Sequence, residues 1–468
     1  MKRYQALAEE LARSIRSGLL KPGDRLPSVR HASASRGISP ATVFEAYYLL
    51  EARGLVQARP RSGYYVAPAP RRWPAEPETA SQPDGLSRPV EISERVFQVL
   101  ESTRHRDVVP LGSAFPSPLH SPLDRLGRAL AASATTLDPW STVDDLTPGN
   151  AELRRQIAMR YLIDGTQVDP DDIVICNGAL EALNLCLSVL TRPGDTVVVE
   201  SPCFYAALQA LERHGVHALE VATDPRGGID LQALETAIQR HRPKACWLMT
   251  NFQNPLGSAM DGERKRALVD LLSRHQLSLI EDDVYAELYF GARPPCSRQF
   301  DDEGWVLHCS SFSKTLAPGY RIGWVNSPRF AHQLARHKLT ASLATCVPVQ
   351  DALARYLQRG TYDRHLQQLR RNFQHSIEQY TEAIARHFPS ATRVSRPTGG
   401  YFLWVELPAG TDTLALQRRA ADAGISLAPG PIFSASRSFG NCLRVNCGHP
   451  LDARAEDALR MLGQWLAQ

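Results

Sequence analysis

The sequence predicts an α/β protein in two parts: a short helical head closed by a β-hairpin, then a long body with a mostly parallel sheet flanked by helices. Three observations lead there. Short β-rich runs, IVIC (173–176), TVVVE (196–200), ACWLMT (245–250), LSLIED (277–282) and WVLHC (305–309), alternate with helix-length segments at 151–163, 179–190 and 262–275, the pattern of a doubly wound sheet. The first 67 residues carry glycine-punctuated helical repeats of a different grain. Between the two, prolines 68, 70, 74, 77, 83 and 89 stand among Ser, Thr, Glu and Arg with no apolar period, which predicts an extended linker. The expected domains are therefore 1–67, a linker at 68–90, and 91–468.

Composition narrows the class. With 43% hydrophobic and 22% charged residues the chain is globular. Its nine cysteines are scattered and contain no CxxC pair, which argues against a disulfide framework or a metal site and for a reducing compartment. No run approaches the roughly 18 apolar residues of a membrane span, so a cytoplasmic protein without membrane contact is expected. Residues 1–67 hold eleven Lys/Arg against five Asp/Glu, and the remainder 42 against 44. A basic head on a near-neutral body points to a polyanion met by the head alone, although a solvated basic face is as common.

In the head, YQALAEELARSIRS (4–17) stops at Gly18. Ser28 is placed to cap a helix from Val29 to about Arg36, broken at Gly37, and Ser39 to cap a second with Pro40 in its first turn, ending at Gly54. Two short helices across a glycine turn form helix-turn-helix grammar. LVQARPRSGYYVA then supplies a hairpin wing with a basic tip. A helical protein–protein module is the alternative reading. Across residues 3–66 the stretch resembles the DNA-binding domain of the GntR family: PGDRLPSVR, then the spacing of Ser39, Thr42-Val43, Ala46 and Gly54, then the glycine-containing wing. The resemblance implies phosphate contacts from Ser28 and Arg30. It places Ser39, Ala41, Thr42 and Phe44 toward the major groove of double-stranded operator DNA, with Arg59, Arg61 and Gly63 setting the wing.

In the body, four polar phrases follow strands, where ligands of open α/β sheets collect. In SSFSKTLAPGYRIGW, Lys314 suits a Schiff base with an aldehyde cofactor, and Ser311, Ser313 and Arg321 suit its phosphate. A lone lysine in a serine-rich loop is usually a surface residue; the full phrase is more specific. In LIEDDVYAEL, Asp282 suits a protonated pyridine nitrogen, with Asp283 a competing candidate, and Tyr285 follows. In NFQNPLG, Asn254 suits the cofactor's phenolic oxygen together with Tyr285, while a plain Asn-Pro turn explains that phrase equally well. In CNGALEALNL, Gly178, Ala179 and Leu180 open a helix whose free N–H groups suit phosphate. Phe204 in ESPCFYA could stack on the ring or simply pack in the core.

Together with GNAELR (149–154), PTGGYF (397–402) and CLRVNCG (442–448), these phrases resemble fold type I pyridoxal-phosphate enzymes of the class I aminotransferase group over residues 108–468. The resemblance implies a smaller α+β lobe, pyridoxal 5'-phosphate as cofactor, and Arg444 as the grip on an effector carboxylate. Three positions depart from the group: Asp144 where a tyrosine often reaches the partner's phosphate, Phe204 for a commoner tyrosine, and Tyr320 for a frequent leucine. A GntR-type head on this body is the layout of the MocR subfamily. That resemblance implies a transcription regulator sensing an amino compound or pyridoxal phosphate through an aldimine at Lys314, in a homodimer with head-to-tail exchange of domains. A working aminotransferase carrying a DNA-binding head is the alternative.

Overall fold

The computed structural model describes residues 2–59, 62–67, 73–77, 80–101 and 106–468. The chain forms two compact units, residues 1–73 and 74–468.

The smaller unit has helices α1 (Arg3–Arg16), α2 (Val29–Arg36) and α3 (Pro40–Ala52) and the antiparallel hairpin β1 (Val56–Arg59) and β2 (Gly63–Val66), with Val56 opposite Val66. Both expected caps form: Ser28 accepts from the His31 amide and Ser39 from the Thr42 amide. Gly37 turns the chain after α2 at φ 62°, in the left-handed region that only glycine enters freely. Leu7, Leu11, Leu26, Val43, Ala46 and Leu50 are buried as one core, and the Tyr47 hydroxyl donates to the Pro27 carbonyl at 2.8 Å, tying α3 to the turn before α2. The Leu26 amide donates to the Tyr64 carbonyl, which fastens the hairpin to the same core.

The larger unit carries strands β3 (Ser87–Arg88), β4 (Ile173–Cys176), β5 (Thr196–Ser201), β6 (His217–Asp224), β7 (Gly228–Ile229), β8 (Ala245–Leu248), β9 (Ser278–Asp282), β10 (Val306–Ser311), β11 (Gly323–Asn326), β12 (Arg393–Val394), β13 (Phe402–Glu406), β14 (Ala428–Pro429) and β15 (Cys442–Asn446). Among the described residues the main sheet runs β3-β6-β5-β8-β9-β10-β11-β4, with β7 on β6. The steps from β6 through β10 are parallel. β11 is antiparallel to both β10 and β4, so β4 again runs with the parallel set. The carboxyl ends of β4, β5, β8, β9 and β10 therefore open on one edge, the edge that ligands use in such sheets. All four residues of β4, β8 and β11 and all five of β9 are buried, as expected for strands covered on both faces. A small antiparallel sheet, β12-β13-β15-β14, packs its own apolar cluster around Leu403, Val405, Leu443 and Val445.

The described residues of the expected extended linker, 73–77 and 80–90, make contacts of their own. Residues 68–72 and 78–79 lie outside the described residues, but the larger unit begins at Pro74 rather than 91. The Val394 amide donates to the Ala75 carbonyl, Glu76 pairs with Arg226 and Arg396, the Ser81 amide donates to the Thr223 carbonyl, and β3 adds to the sheet edge. Proline removes its own donor and leaves its neighbours' donors and acceptors free to pair, so an extended stretch of this composition can still pair with the larger unit. Strands β6 and β11 were also not foreseen.

Candidate functional site

Lys314 follows the end of β10, near Asp282, the last residue of β9, and Tyr285, which follows that strand. Its amine donates to the Ala114 carbonyl at 2.8 Å and stands 4.1 Å from the centre of the Phe115 ring and 5.8 Å from that of Tyr285. Burial, with Arg444 and Arg321 nearby, lowers its pKa to about 7, although Asp282 opposes the shift. An amine so placed is partly unprotonated, hence nucleophilic, at neutral pH.

The two adjacent carboxylates have separate surroundings. Asp283 accepts from the His308 ring at 3.0 Å and from Asn251 at 3.1 Å; although burial opposes it, His308 and then Lys265 and Asn251 hold its carboxyl below the usual range. Neither side-chain oxygen of Asp282 has a hydrogen-bond partner. Burial and the negative Asp283 raise its pKa to about 7, with the nearby Lys314 offsetting part of the rise. Asp283 is satisfied by protein groups, whereas Asp282 is the carboxylate left to meet something else.

Asn254, after β8, is fully buried, with Oδ1 accepting from Arg444 at 3.1 Å and Nδ2 without a partner. Tyr285 is buried, which raises its hydroxyl's pKa. Gly178, Ala179 and Leu180 open the helix Ala179–Leu190 directly after β4. The first-turn amides of a helix have no carbonyl partner within it. The Leu180 side chain is 47% exposed, so the group it can offer a ligand is its backbone amide. Gly178 has φ 82°, and a Cβ there would lie 2.1 Å from Nη2 of Arg321. That guanidinium donates to the Asn177 carbonyl at 2.8 Å and to Ser313 Oγ at 3.2 Å, and the Ser313 amide donates to Ser311 Oγ at 3.4 Å. Two segments far apart in sequence thus make one cradle of amides, hydroxyls and a guanidinium, the donor set that suits a phosphate. Phe204 is partly buried at the start of the helix Tyr205–His214, its ring 4.8 Å from that of Tyr205. Asp144 is exposed at the end of the short helix Ser141–Asp144.

Arg444, on β15, is fully buried, and the acceptors it meets among the described residues are neutral. Its donors go to Asn254, to the Gly112 carbonyl at 2.8 Å and to the Ser113 carbonyl at 3.1 Å, while Nε has no partner. The faces of Phe402 and Phe433 lie 4.3 and 5.3 Å from its guanidinium carbon. A buried cation balanced only by neutral acceptors is costly, and an anion would relieve it. Sequence reasoning missed the segment 112–115, Asn446 and Tyr401. Tyr401 donates to the same Ala114 carbonyl as Lys314; its signal was its place in PTGGYF. Among the described residues, Glu281, Cys296 and His308 bring donor atoms within 4.8 Å, but both His308 nitrogens are taken, by Tyr161 and Asp283.

On the head, Ser28, Arg30, Ser39, Ala41, Phe44, Arg59 and Gly63 are exposed and Thr42 partly so. Ser39 Oγ lies 2.8 Å from Thr42 Oγ1, and the Arg59 guanidinium stands over the Tyr65 ring at 4.3 Å. Arg61 lies outside the described residues.

Residues 3–66 match the bacterial regulatory proteins of the gntR family, and residues 144–461 match aminotransferase class I and II. The chain is 47% identical to the uncharacterised HTH-type transcriptional regulator YdcR of Escherichia coli K12, over the whole of both chains. It belongs to the MocR-type regulators. A second HTH-type regulator of that organism, YjiR, is 40% identical over 99% of this chain and 98% of its own. The MocR-type body is similar to the multiple substrate aminotransferase of Thermococcus profundus, with 28% identity, a TM-score of 0.74 and coverage of 81% of this chain and 95% of the enzyme. It is also similar to LysN, the α-aminoadipate aminotransferase of Thermus thermophilus, solved with N-(5'-phosphopyridoxyl)-L-leucine, at 29% identity, a TM-score of 0.71 and coverage of 81% and 98%. This MocR-type chain is thus a DNA-binding transcription regulator with an aminotransferase-like domain, and among the described residues no helix is long and apolar enough to cross a membrane.

Proposed function

We propose that this regulator holds pyridoxal 5'-phosphate at Lys314 and senses an amino compound, or the cofactor itself, in the cleft at the strand ends. One observation carries the reading: among the buried polar atoms left without partners are both oxygens of Asp282 and Nδ2 of Asn254, at the strand ends, and these are atoms that this cofactor would satisfy. Asp282 would hold the ring nitrogen, and Asn254 with Tyr285 the phenolic oxygen. The amides of Gly178, Ala179 and Leu180, with Ser311, Ser313 and Arg321, would hold the phosphate, and Phe204 would pack on the ring. Bound there, pyridoxal phosphate supplies an aldehyde that condenses with amines and a ring that withdraws electrons.

The chain's own residues would do the sensing. Lys314 offers a nucleophilic amine, Asp282 keeps a proton at the ring nitrogen, and Arg444 takes the effector's carboxylate. Ligand binding changes DNA presentation only to the extent that it favours one arrangement of the chain over another. In this reading the cytoplasmic regulator is a homodimer with exchanged domains whose two heads meet two half-sites of an operator. A second reading, an active aminotransferase, is favoured by 28% identity over 80% of the chain to an aromatic-amino-acid aminotransferase of Thermococcus litoralis.

The test is the visible absorption of purified protein with added pyridoxal phosphate, before and after Lys314→Ala. A band that depends on Lys314 and shifts with one amino compound is the expected result. No band in either protein would refute the cofactor reading. Steady turnover of an amino acid with a keto acid would favour the enzyme.

A further inference from the structure

Resting on the reading that the signal carries an amine and a carboxylate, we infer that residues 112–115 are a strap seated in the effector-carboxylate position. A carboxylate must displace the strap, whereas a plain amine leaves it in place.

The argument starts at Arg444. A carboxylate is gripped best by two parallel N–H groups on one edge of a guanidinium. The Nε–H of Arg444 has no partner, but it shares its edge with Nη2, which already donates to the carbonyls of Gly112 and Ser113. The remaining edge is formed by Nη2 and Nη1, and Nη1 donates to Asn254. No edge is free for a two-point grip until a strap carbonyl leaves. The exchange favours the newcomer, because a carboxylate brings a full negative charge and a two-point geometry to a guanidinium that otherwise donates only to neutral carbonyls.

The strap is built to be held lightly. Its ends are pinned: the Asn446 amide donates to the Leu111 carbonyl at 2.8 Å, and the Ser117 amide to the Gly448 carbonyl at 2.9 Å. Between those pins, side-chain donors from the site hold its carbonyls. Lys314 and Tyr401 both donate to Ala114, and Asn446 Nδ2 donates to Ser113 at 3.0 Å and Phe115 at 2.7 Å. Phe115 covers the Lys314 amine yet is 45% exposed, and Ser113 is only partly buried. Ala114 alone contributes a buried side chain beyond Gly112, so lifting the strap exposes little apolar surface. Gly112 lies flush on the small lobe, where a Cβ would meet the Leu427 backbone at 2.6 Å. Because the strap touches Arg444 and the small sheet together, its displacement reports carboxylate occupancy to β15 and the loops around it.

The test is hydrogen–deuterium exchange of the peptide spanning 108–118 in the full-length protein, with and without added pyridoxal phosphate. Three probes are compared: propionate (carboxylate only), ethylamine (amine only) and L-alanine (both). The expected result is a severalfold faster exchange of the 113–115 amides with propionate and with L-alanine, none with ethylamine, and loss of the response in Arg444→Met. Asn446→Ala, which removes one donor from each of two strap carbonyls, should halve or further lower the propionate concentration needed; a merely structural role would raise it. Unchanged exchange with both carboxylates, or an equal response to ethylamine, overturns the strap. Absence of the visible band overturns the cofactor reading alone, since the propionate arm needs no cofactor.

Discussion

Replacing Gly178 by alanine should separate the grip on phosphate from the stability of the fold. At φ 82° and ψ 168° the residue sits in a region that is essentially glycine's own, and an alanine forced there costs about 1–3 kcal/mol. Relief by a backbone shift is blocked by Gly323, whose own Cβ position lies 2.5 Å from the Gly178 carbonyl carbon and the Ala179 amide, so the two segments are already in close contact. The added methyl would lie 2.1 Å from Nη2 and 2.7 Å from Cζ of Arg321, so the guanidinium must abandon the Asn177 carbonyl and Ser313. A guanidinium–phosphate hydrogen bond contributes about 2–3 kcal/mol, and each 1.4 kcal/mol is a factor of about ten. Affinity for pyridoxal phosphate should therefore fall about 30- to 100-fold. Absorbance titration of wild type and Gly178→Ala measures it, and thermal unfolding without cofactor measures the strain separately. Gly127, inside the helix Leu123–Thr136 with nothing within 4 Å of its Cβ position, is the control: Gly127→Ala should leave affinity unchanged and add about 0.5–1 kcal/mol of stability. Affinity of Gly178→Ala within threefold of wild type would refute the cradle.

Three further outcomes are expected. Asp282 in the folded protein titrates at about 7, well above an unfolded aspartate. The folded form then binds the extra proton between roughly pH 4 and 7, and stability of cofactor-free protein should fall as pH rises through that window. Asp282→Asn should flatten that fall by at most about 4 kcal/mol, as read by denaturant unfolding at stepped pH; an identical profile would show that Asp282 is charged and solvated. Lys338 is fully buried against Glu181 at 2.9 Å, and Glu181 in turn accepts from the Asn177 amide just before Gly178. Lys338→Met should cost about 3 kcal/mol by stranding that carboxylate and also weaken cofactor binding, checked by unfolding and the same titration. Ser39→Ala removes the cap of α3 and should lower the head's stability by about 1 kcal/mol, seen in the melting of residues 1–73 by amide exchange.

Local physics made much of this protein legible in its sequence. Ser28 and Ser39 cap where a short hydroxyl precedes a helical run, Gly37 turns where a left-handed residue is required, and β4, β5, β8, β9 and β10 follow from apolar runs of strand length. The polar phrases at the strand ends were legible because each follows its strand directly. What sequence could not settle depends on groups distant along the chain. Asp282 and Asp283 are chemically identical neighbours, and only the packing of His308 and Asn251 against one leaves the other unpaired. The stretch 74–90 reads as an extended linker by composition because backbone pairing to Val394 and Thr223 leaves no mark in its side chains. Residues 112–115 carry no catalytic-looking side chain, and they enter the site through their carbonyls. Those carbonyls acquire meaning only when the small sheet brings Arg444 and Asn446, more than three hundred residues away, against them, since backbone acceptors are the same in every sequence and the fold alone decides which donor they meet.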